Sequence, residues 1–207
     1  MADKFKNKYR IASTRLQNWD YGWSGAYFIT ICTQNRENYF GKIENGKMQL
    51  SQIGVIADIL WYEIKNHAKN IKLGEFVVMP NHIHGILILN NDINVDTNVD
   101  TNVETGHALS LPPSPPQPPP SQSPQSPQTI GQKRFQNIGK NTVSSIIGSY
   151  KSAVTKHSHR LGYDFKWQTR FYEHIIRNEK SFNRITSYII NNPINWKIDK
   201  FYTKKII

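Results

Sequence analysis

Residues 76–89, FVVMPNHIHGILIL, place two apolar runs on either side of a Pro-Asn step. Both runs are rich in Val and Ile, a composition that is typical of buried strands. A two-residue connection between two such runs predicts a tight antiparallel hairpin. The sequence therefore predicts that a buried hairpin forms the centre of a β-sheet.

Two histidines interrupt the second of these strands. His82 and His84 lie at positions i and i+2, so their side chains project from the same side of the strand, while Ile83 points into the opposite layer. Two neutral imidazoles placed side by side suit a divalent metal or a phosphate group, although histidines also occur as ordinary core residues. Because two ligands do not fill a coordination sphere, a metal at this site would need a third ligand from elsewhere in the chain.

The other apolar patterns predict a mixed α+β domain. Asn45-Gly46 is a strong signal for a two-residue hairpin turn. Helical spacing of apolar residues and strand-like runs alternate along the chain. The predicted elements are a strand at 26–34, a hairpin within 38–51, a helix at 51–70, strands at 74–79 and 82–89, a helix at 142–162, a strand at 171–178 and a helix at 179–192. This order predicts an antiparallel sheet with helices packed on one face.

Residues 91–129 break this pattern. They begin with the tandem repeat NVDTNVDTNVET and continue into LPPSPPQPPPSQSPQSPQ, which favours extended polyproline conformations. Neither part contains enough apolar surface to offset the entropy of ordering it. We therefore expect a disordered insertion that divides a single domain into residues 1–90 and 130–207.

The charge of the chain indicates a polyanionic partner. The formal net charge is +11 over 207 residues, and residues 90–132 contain four carboxylates and no Lys or Arg, so the positive charge is concentrated outside the insertion. Nucleic acid is the simplest partner for such a surface. The single cysteine, Cys32, excludes an internal disulfide framework, and neither a signal sequence nor a membrane-spanning segment is recognisable, which favours a cytoplasmic protein.

The last predicted helix contributes two polar side chains on one face. Asn192 follows Tyr188 by four residues in the segment SYIINNP. A tyrosine phenolate can attack phosphorus, and an amide oxygen can bind a hard metal ion. The pattern alone favours a simpler interpretation, in which Tyr188 is a half-buried structural aromatic and Asn192 a helix-terminal residue before proline.

Two segments together resemble a known enzyme family. VVMPNHIHGIL resembles the His-hydrophobic-His strand of the HUH endonucleases, and WQTRFYEHIIRNEKSFNRITSYIINNP resembles the second motif block of the REP-associated tyrosine transposases. The two segments occur in the family's order, and the resemblance covers roughly residues 20–90 and 135–197. It implies a ferredoxin-like (RRM-like) sheet of the HUH endonuclease type, which carries the histidine pair, and a C-terminal helix that carries the nucleophile.

The resemblance also implies a division of roles among the residues. His82, His84 and Asn192 match the family's ligands for Mg²⁺ or Mn²⁺, and Tyr188 matches its nucleophile, with Tyr172 as the first rival. The implied reaction is cleavage of single-stranded or hairpin DNA through a 5′-phosphotyrosine, by a monomer or a homodimer. The residues expected to contact the DNA backbone are Lys151, Lys156, Arg160, Arg170 and Arg177, and Trp167 is expected to stack on an unpaired base.

Two other functions are compatible with the same residues. One is a non-catalytic protein that binds hairpin nucleic acid on this fold. The other is a metal-dependent phosphoesterase that activates water instead of a tyrosine, which would require a further Asp, Glu or His beside the histidine pair. No such residue lies near the pair in the sequence.

Overall fold

The computed structural model describes residues 19–90 and 141–202. The predicted disordered insertion at 91–129 lies outside the described residues. The described elements, in chain order, are β1 (Gly25–Thr33), a 3₁₀ turn (Gln34–Arg36), β2 (Gly41–Glu44), β3 (Lys47–Leu50), α1 (Gln52–His67), β4 (Ile71–Met79), β5 (His82–Leu89), α2 (Val143–Arg160), β6 (Trp167–Ile176), α3 (Glu179–Asn191) and a second 3₁₀ turn (Trp196–Ile198).

The predicted α+β class is confirmed. Four strands form one antiparallel sheet in the order β4-β5-β1-β6, and β2 and β3 form a separate hairpin. The turn of that hairpin is Asn45-Gly46, as the sequence predicts, and both residues have positive φ, 49° and 71°. The predicted helices and strands are all present, with ends that differ by a few residues. The largest differences are that β4 begins at Ile71 and β6 at Trp167, each earlier than predicted.

Helices α1 and α2 cover one face of the sheet. Trp61 of α1 and Tyr150 of α2 are buried there, and their rings lie 5.3 Å apart in an edge-to-face contact. They pack on the side chains of β1 and β5 that point to this face, including Ile29 and Ile83. This layer forms the larger hydrophobic core of the described residues.

Helix α3 covers the opposite face, so the prediction that the helices pack on one face is wrong for this helix. Ile185 and Ile189, one helical turn apart, pack against Ile86 of β5 and Ile176 of β6. The reason lies in β5, which is apolar on both faces and is buried along nearly its whole length. Because one helical layer can cover only one face, a second layer is needed on the side where His82 and His84 lie.

No helix among the described residues is long and apolar enough to cross a lipid bilayer. Cys32, which the sequence marks as the single cysteine, is buried and unpaired, and its burial raises the pKa of the thiol.

Gly85 provides a test of the packing between β5 and α1. A Cβ atom at this position would collide with the indole ring of Trp61. We expect Gly85→Ala to destabilise the protein by about 1–3 kcal/mol, as overpacking of a filled core does. Gly148→Ala is the control, because Gly148 is exposed in the middle of α2 and a Cβ there meets nothing within 4 Å. It should stabilise the helix by about 0.5–1 kcal/mol. Equal urea midpoints for the two variants would contradict the described packing.

Candidate active site

The two histidines lie side by side on β5, beneath α3. Their rings are 4.5 Å apart, and the side chains are 0% and 1% exposed. The alternation of the strand places both on the α3 face, as the sequence predicts. Directly opposite His84 are Val77 of β4 and Thr30 of β1, so the pair is enclosed by strands on both sides.

Burial keeps both imidazoles neutral at neutral pH. It lowers the pKa of His84 to about 3, and it lowers the pKa of His82 well below its ordinary value, an effect to which the neighbouring His84 adds. A neutral imidazole has one nitrogen with a free lone pair, which is the form that binds a metal ion.

Asn81 determines which nitrogen of His82 has the lone pair. Its amide nitrogen donates to the backbone oxygens of Phe201 (2.9 Å) and Arg36 (3.2 Å), so its Oδ1 accepts from His82 Nδ1 at 2.8 Å. Nδ1 therefore holds the proton, and Nε2, which is buried and has no hydrogen-bond partner, keeps its lone pair. The Nδ1 atom of His84 lies 2.9 Å from Thr30 Oγ1, a second contact that orients an imidazole.

Tyr188 lies above this pair. Its hydroxyl oxygen is 3.2 Å from His84 Nε2, although the two residues are 104 positions apart in the chain. The buried residues Ile185 and Ile189 anchor α3 to the sheet, and this holds Tyr188, which is 39% exposed, at the edge of the helix contact. The ring also meets Phe28 edge-to-face, with the centroids 6.2 Å apart. The structure thus brings together the predicted nucleophile and the predicted histidine pair.

A carboxylate that the sequence does not reveal completes this arrangement. Asp199 Oδ2 accepts hydrogen bonds from the hydroxyl of Tyr188 (3.0 Å) and from Nδ2 of Asn192 (3.1 Å), while Oδ1 accepts from the backbone NH of Phe201 (2.7 Å). Burial raises the pKa of Tyr188 to about 12, and the charge of Asp199 adds to this effect. The sequence has no further carboxylate close to the histidine pair, but the fold brings Asp199 next to Tyr188, which in turn contacts His84.

Asn192 ends α3 and turns its amide into the site. The side chain is 1% exposed, and because Nδ2 is bonded to Asp199, the oxygen Oδ1 faces away from that bond. Among the described residues, Asn192 Oδ1 and His82 Nε2 are both buried atoms that have no hydrogen-bond partner. A buried polar atom without a partner costs about 1–3 kcal/mol, so two such atoms at one site call for an explanation.

These atoms fit a divalent metal ion. Imidazole nitrogens and an amide oxygen are common ligands of such ions, and together with His84 Nε2 they form the set that the sequence predicts. In the part of the chain that the structure describes, no group of three or more His, Cys, Asp or Glu side chains is placed to hold a metal. The candidate set is therefore two imidazoles and one amide, all of them neutral.

Lys151 and Trp167, two of the residues expected to contact DNA, are held by the fold itself. Lys151 Nζ donates to the backbone oxygens of Gln168 (2.8 Å) and Thr169 (3.3 Å). The indole NH of Trp167 donates to the backbone oxygen of Lys151 at 3.0 Å, and its ring packs against that of Phe165 with centroids 4.8 Å apart. This packing disfavours the predicted stacking of a base on Trp167.

The other four predicted contacts lie on two sides of the molecule. Lys156 and Arg160 are exposed on α2, which covers the face of the sheet opposite the histidine pair. Arg170 lies in β6 and Arg177 directly after it, and both are exposed. Arg170 and Arg177 are therefore on or next to the edge strand β6, which is separated from the histidine strand β5 by β1.

Three residues of the site have weak signals in the sequence or none. Asn81 directly precedes His82, and adjacency is the one indication of its role. Thr30 is one of several polar residues in a strand, and nothing local connects it with His84. Asp199 follows Asn192 by seven residues across two turns, and no helical or strand periodicity relates the two positions.

No protein-family model matches the chain. An uncharacterized protein of Haemophilus influenzae is 35% identical to it over 191 residues, which are 92% of this chain and 92% of that protein. Among solved structures, a REP-associated tyrosine transposase bound to a REP hairpin aligns with a TM-score of 0.52 and 20% identity, over 92% of this chain and 77% of that one. This chain thus has the fold of that transposase.

Asn81 provides a test of how the site is built. Asn81→Ala removes two buried hydrogen bonds and one partly buried one, and leaves the backbone oxygens of Arg36 and Phe201 without this donor. We expect a loss of about 3 kcal/mol of unfolding free energy, measured by urea denaturation. The control is Asn66→Ala, which removes one exposed hydrogen bond to Glu63 and should cost less than about 0.5 kcal/mol. Similar losses in the two variants would contradict the role assigned to Asn81.

Proposed function

The chain belongs to the same family as the Haemophilus influenzae protein, and we propose that it is a transposase-like enzyme that nicks and rejoins single-stranded DNA at hairpins. The observation that carries the proposal is the meeting of the Tyr188 hydroxyl with His84 Nε2 at 3.2 Å, beside two buried atoms that lack partners. A nucleophile next to a candidate metal site is the arrangement that phosphoryl transfer to a tyrosine requires.

The connection of the elements supports a ferredoxin-like assignment within the α+β class. Without the β2–β3 hairpin, the described elements follow the order β-α-β-β-α-β, and the strands that are first and third in the chain lie in the middle of the sheet. This is the topology of the ferredoxin-like fold. In it, β1 and β5 are the central strands, so the histidine pair lies in the buried middle of the sheet.

The metal that we propose is Mg²⁺ or Mn²⁺, held by His82 Nε2, His84 Nε2 and Asn192 Oδ1. When bound, it supplies positive charge that stabilises the negative charge developing on a phosphate in the transition state. All three ligands are neutral, so they do not cancel this charge before an anionic substrate binds. Asn81, Thr30 and Asp199 each hold one ligand side chain in place through a hydrogen bond.

Asp199 is the proposed general base. A tyrosine whose pKa is about 12 is protonated at neutral pH, so its attack on phosphorus requires a proton acceptor. Asp199 Oδ2 already accepts the phenolic hydrogen bond. As the Tyr188 oxygen bonds to phosphorus, its proton passes to Asp199, the bond from phosphorus to the 3′ oxygen breaks, and that oxygen takes up a proton from water. The products are a 5′-phosphotyrosine and a 3′-hydroxyl, and the reverse reaction with another 3′-hydroxyl rejoins strands.

Asp199 also supplies the additional carboxylate that the phosphoesterase alternative requires, so that alternative needs its own test. A carboxylate beside a metal could activate water directly, in which case cleavage would not depend on Tyr188. The two mechanisms differ in one product, because only attack by tyrosine leaves DNA attached to the protein through a bond that survives denaturation. The non-catalytic alternative predicts binding without any cleavage.

Tyr188→Phe tests the nucleophile. With labelled single-stranded hairpin DNA and Mn²⁺, we expect the wild type to form a covalent adduct, seen as a shifted band on a denaturing gel, and the variant to form at least about 1,000-fold less. Chelation of the metal with EDTA should abolish the adduct in the wild type. Tyr62→Phe is the control, because Tyr62 is exposed on α1, across the sheet from the site.

Each alternative has its own result in this experiment. An adduct that persists in Tyr188→Phe and disappears in Tyr172→Phe would move the nucleophile to Tyr172. Cleavage without an adduct would favour the phosphoesterase. Binding without cleavage, under conditions in which the wild type retains its bound metal, would overturn the enzymatic assignment.

Asp199→Asn tests the base, because the amide oxygen can still accept the bond from the Phe201 backbone. We expect adduct formation to slow by about 100-fold or more at neutral pH. The removal of the Asp199 charge also lowers the pKa of Tyr188, so more of the variant's Tyr188 is ionised at alkaline pH. The difference in rate between the variant and the wild type should therefore shrink as the pH rises. Single-turnover rates across this range measure the effect. A variant as fast as the wild type at neutral pH would rule out the base.

A further inference from the structure

We propose that Tyr172 stacks on an unpaired nucleobase of the DNA strand that enters the active site, at a cleft along the outer edge of β6. This inference rests on the proposed function for the identity of the substrate, single-stranded DNA. It assigns to Tyr172 a binding role that is distinct from the chemistry of Tyr188.

The register of the sheet places Tyr172 on the same face as the histidine pair. Thr30 of β1 is paired with His84 on one side and with Tyr172 of β6 on the other. Directly paired residues in antiparallel strands point to the same face, and Thr30 confirms the face by its 2.9 Å contact with His84. Because neighbouring strands lie about 4.8 Å apart, Tyr172 is about 10 Å from His84 across the sheet.

Helix α3 leaves this part of the face open. Its buried residues pack over Ile86 and Ile176, and beyond them Tyr172 is 49% exposed on the outermost strand. The next residue of β6 on this face is His174, which is also exposed and is paired with Phe28. Phe28 in turn contacts Tyr188. Phe28, His174 and Tyr172 therefore place aromatic rings on one face of the sheet, between the proposed nucleophile and the outer edge.

A cavity of about 420 Å³ lies along this edge, next to these rings. Its volume falls within the range of small-molecule sites. Tyr172 and His174 contribute rings to its wall, and Arg177 and Asn178 contribute groups that can donate hydrogen bonds. Glu173 also lines the cleft, and Arg177, which is exposed, is the lining cation that can bind a phosphate of the DNA backbone.

The chemistry of this cleft matches a nucleobase better than another ligand. Stacking on an aromatic ring tolerates every base, so it suits a protein that must hold an unpaired strand near a reacting phosphate. A distance of about 10 Å is the length of about three stacked nucleotides, at about 3.4 Å each. A base on Tyr172 therefore belongs to a nucleotide within about three positions of the phosphate that Tyr188 would attack.

The test measures binding without chemistry. Fluorescence anisotropy in EDTA compares two labelled probes that have the same backbone charge, a short oligothymidylate and its fully abasic counterpart. We expect Tyr172→Ala to weaken binding of the oligothymidylate by about 5- to 150-fold, the effect of losing one stacked base. Binding of the abasic probe should change by less than about two-fold. Tyr172→Phe, which keeps the ring, should bind the oligothymidylate as the wild type does.

Tyr62→Ala is the matched control, since Tyr62 is an equally exposed tyrosine (53%) on the other face of the sheet and should bind both probes normally. An unchanged affinity of Tyr172→Ala for the oligothymidylate, or an equal loss for both probes, would overturn the stacking role. Neither result would affect the proposed function, which depends on the covalent adduct at Tyr188. Conversely, a stacking effect without any adduct or cleavage would retain this site and overturn the enzymatic assignment.

Discussion

The architecture depends on the burial of β5 from both sides. This strand pairs with β4 and β1, and α1 and α3 cover its two faces, so the fold closes around it. The α1 face is filled by apolar side chains. The α3 face contains two imidazoles, which are nevertheless buried and kept neutral. A sheet interior that contains neutral histidines requires polar neighbours, and Thr30, Asn81, Tyr188, Asn192 and Asp199 are the neighbours that this chain supplies.

The segment after α3 links these neighbours. Asn192 ends the helix, the chain turns through Trp196, and Asp199 returns to accept bonds from Tyr188 and Asn192. The backbone oxygen of Phe201 then accepts from Asn81, which holds His82. The histidine pair and the tyrosine are therefore parts of one hydrogen-bonded network. Two of the six buried side-chain atoms that lack a hydrogen-bond partner among the described residues, His82 Nε2 and Asn192 Oδ1, belong to residues of this network.

Local sequence patterns predict the strands, the hairpin turn and the shared face of the two histidines. They do not predict contacts between residues that are far apart in the chain. Strand alternation places His82 and His84 on one face, and Asn45-Gly46 predicts its own turn, because both rest on the geometry of a few adjacent residues. The face covered by α3 is not encoded in this way, since an amphipathic helix specifies that it has a buried side and not which layer buries it. The position of Asp199 beside Tyr188 depends on how the chain folds back after α3, and no local pattern predicts this either. Trp167 shows the converse, because an aromatic residue among basic ones suggests stacking on DNA, and the folded chain uses the ring to pack against Phe165.

The central claim is that Tyr188 becomes covalently bonded to DNA, and peptide mapping by mass spectrometry tests it most directly. Trypsin cleaves after Arg184 and Lys197, and the peptide between them contains Tyr188 as its one tyrosine. After reaction with hairpin DNA and Mn²⁺ and digestion of the DNA, the account predicts a nucleotide mass on this peptide. The same mass on the peptide that follows Arg170, which contains Tyr172, or on no peptide while cleavage proceeds, would contradict it.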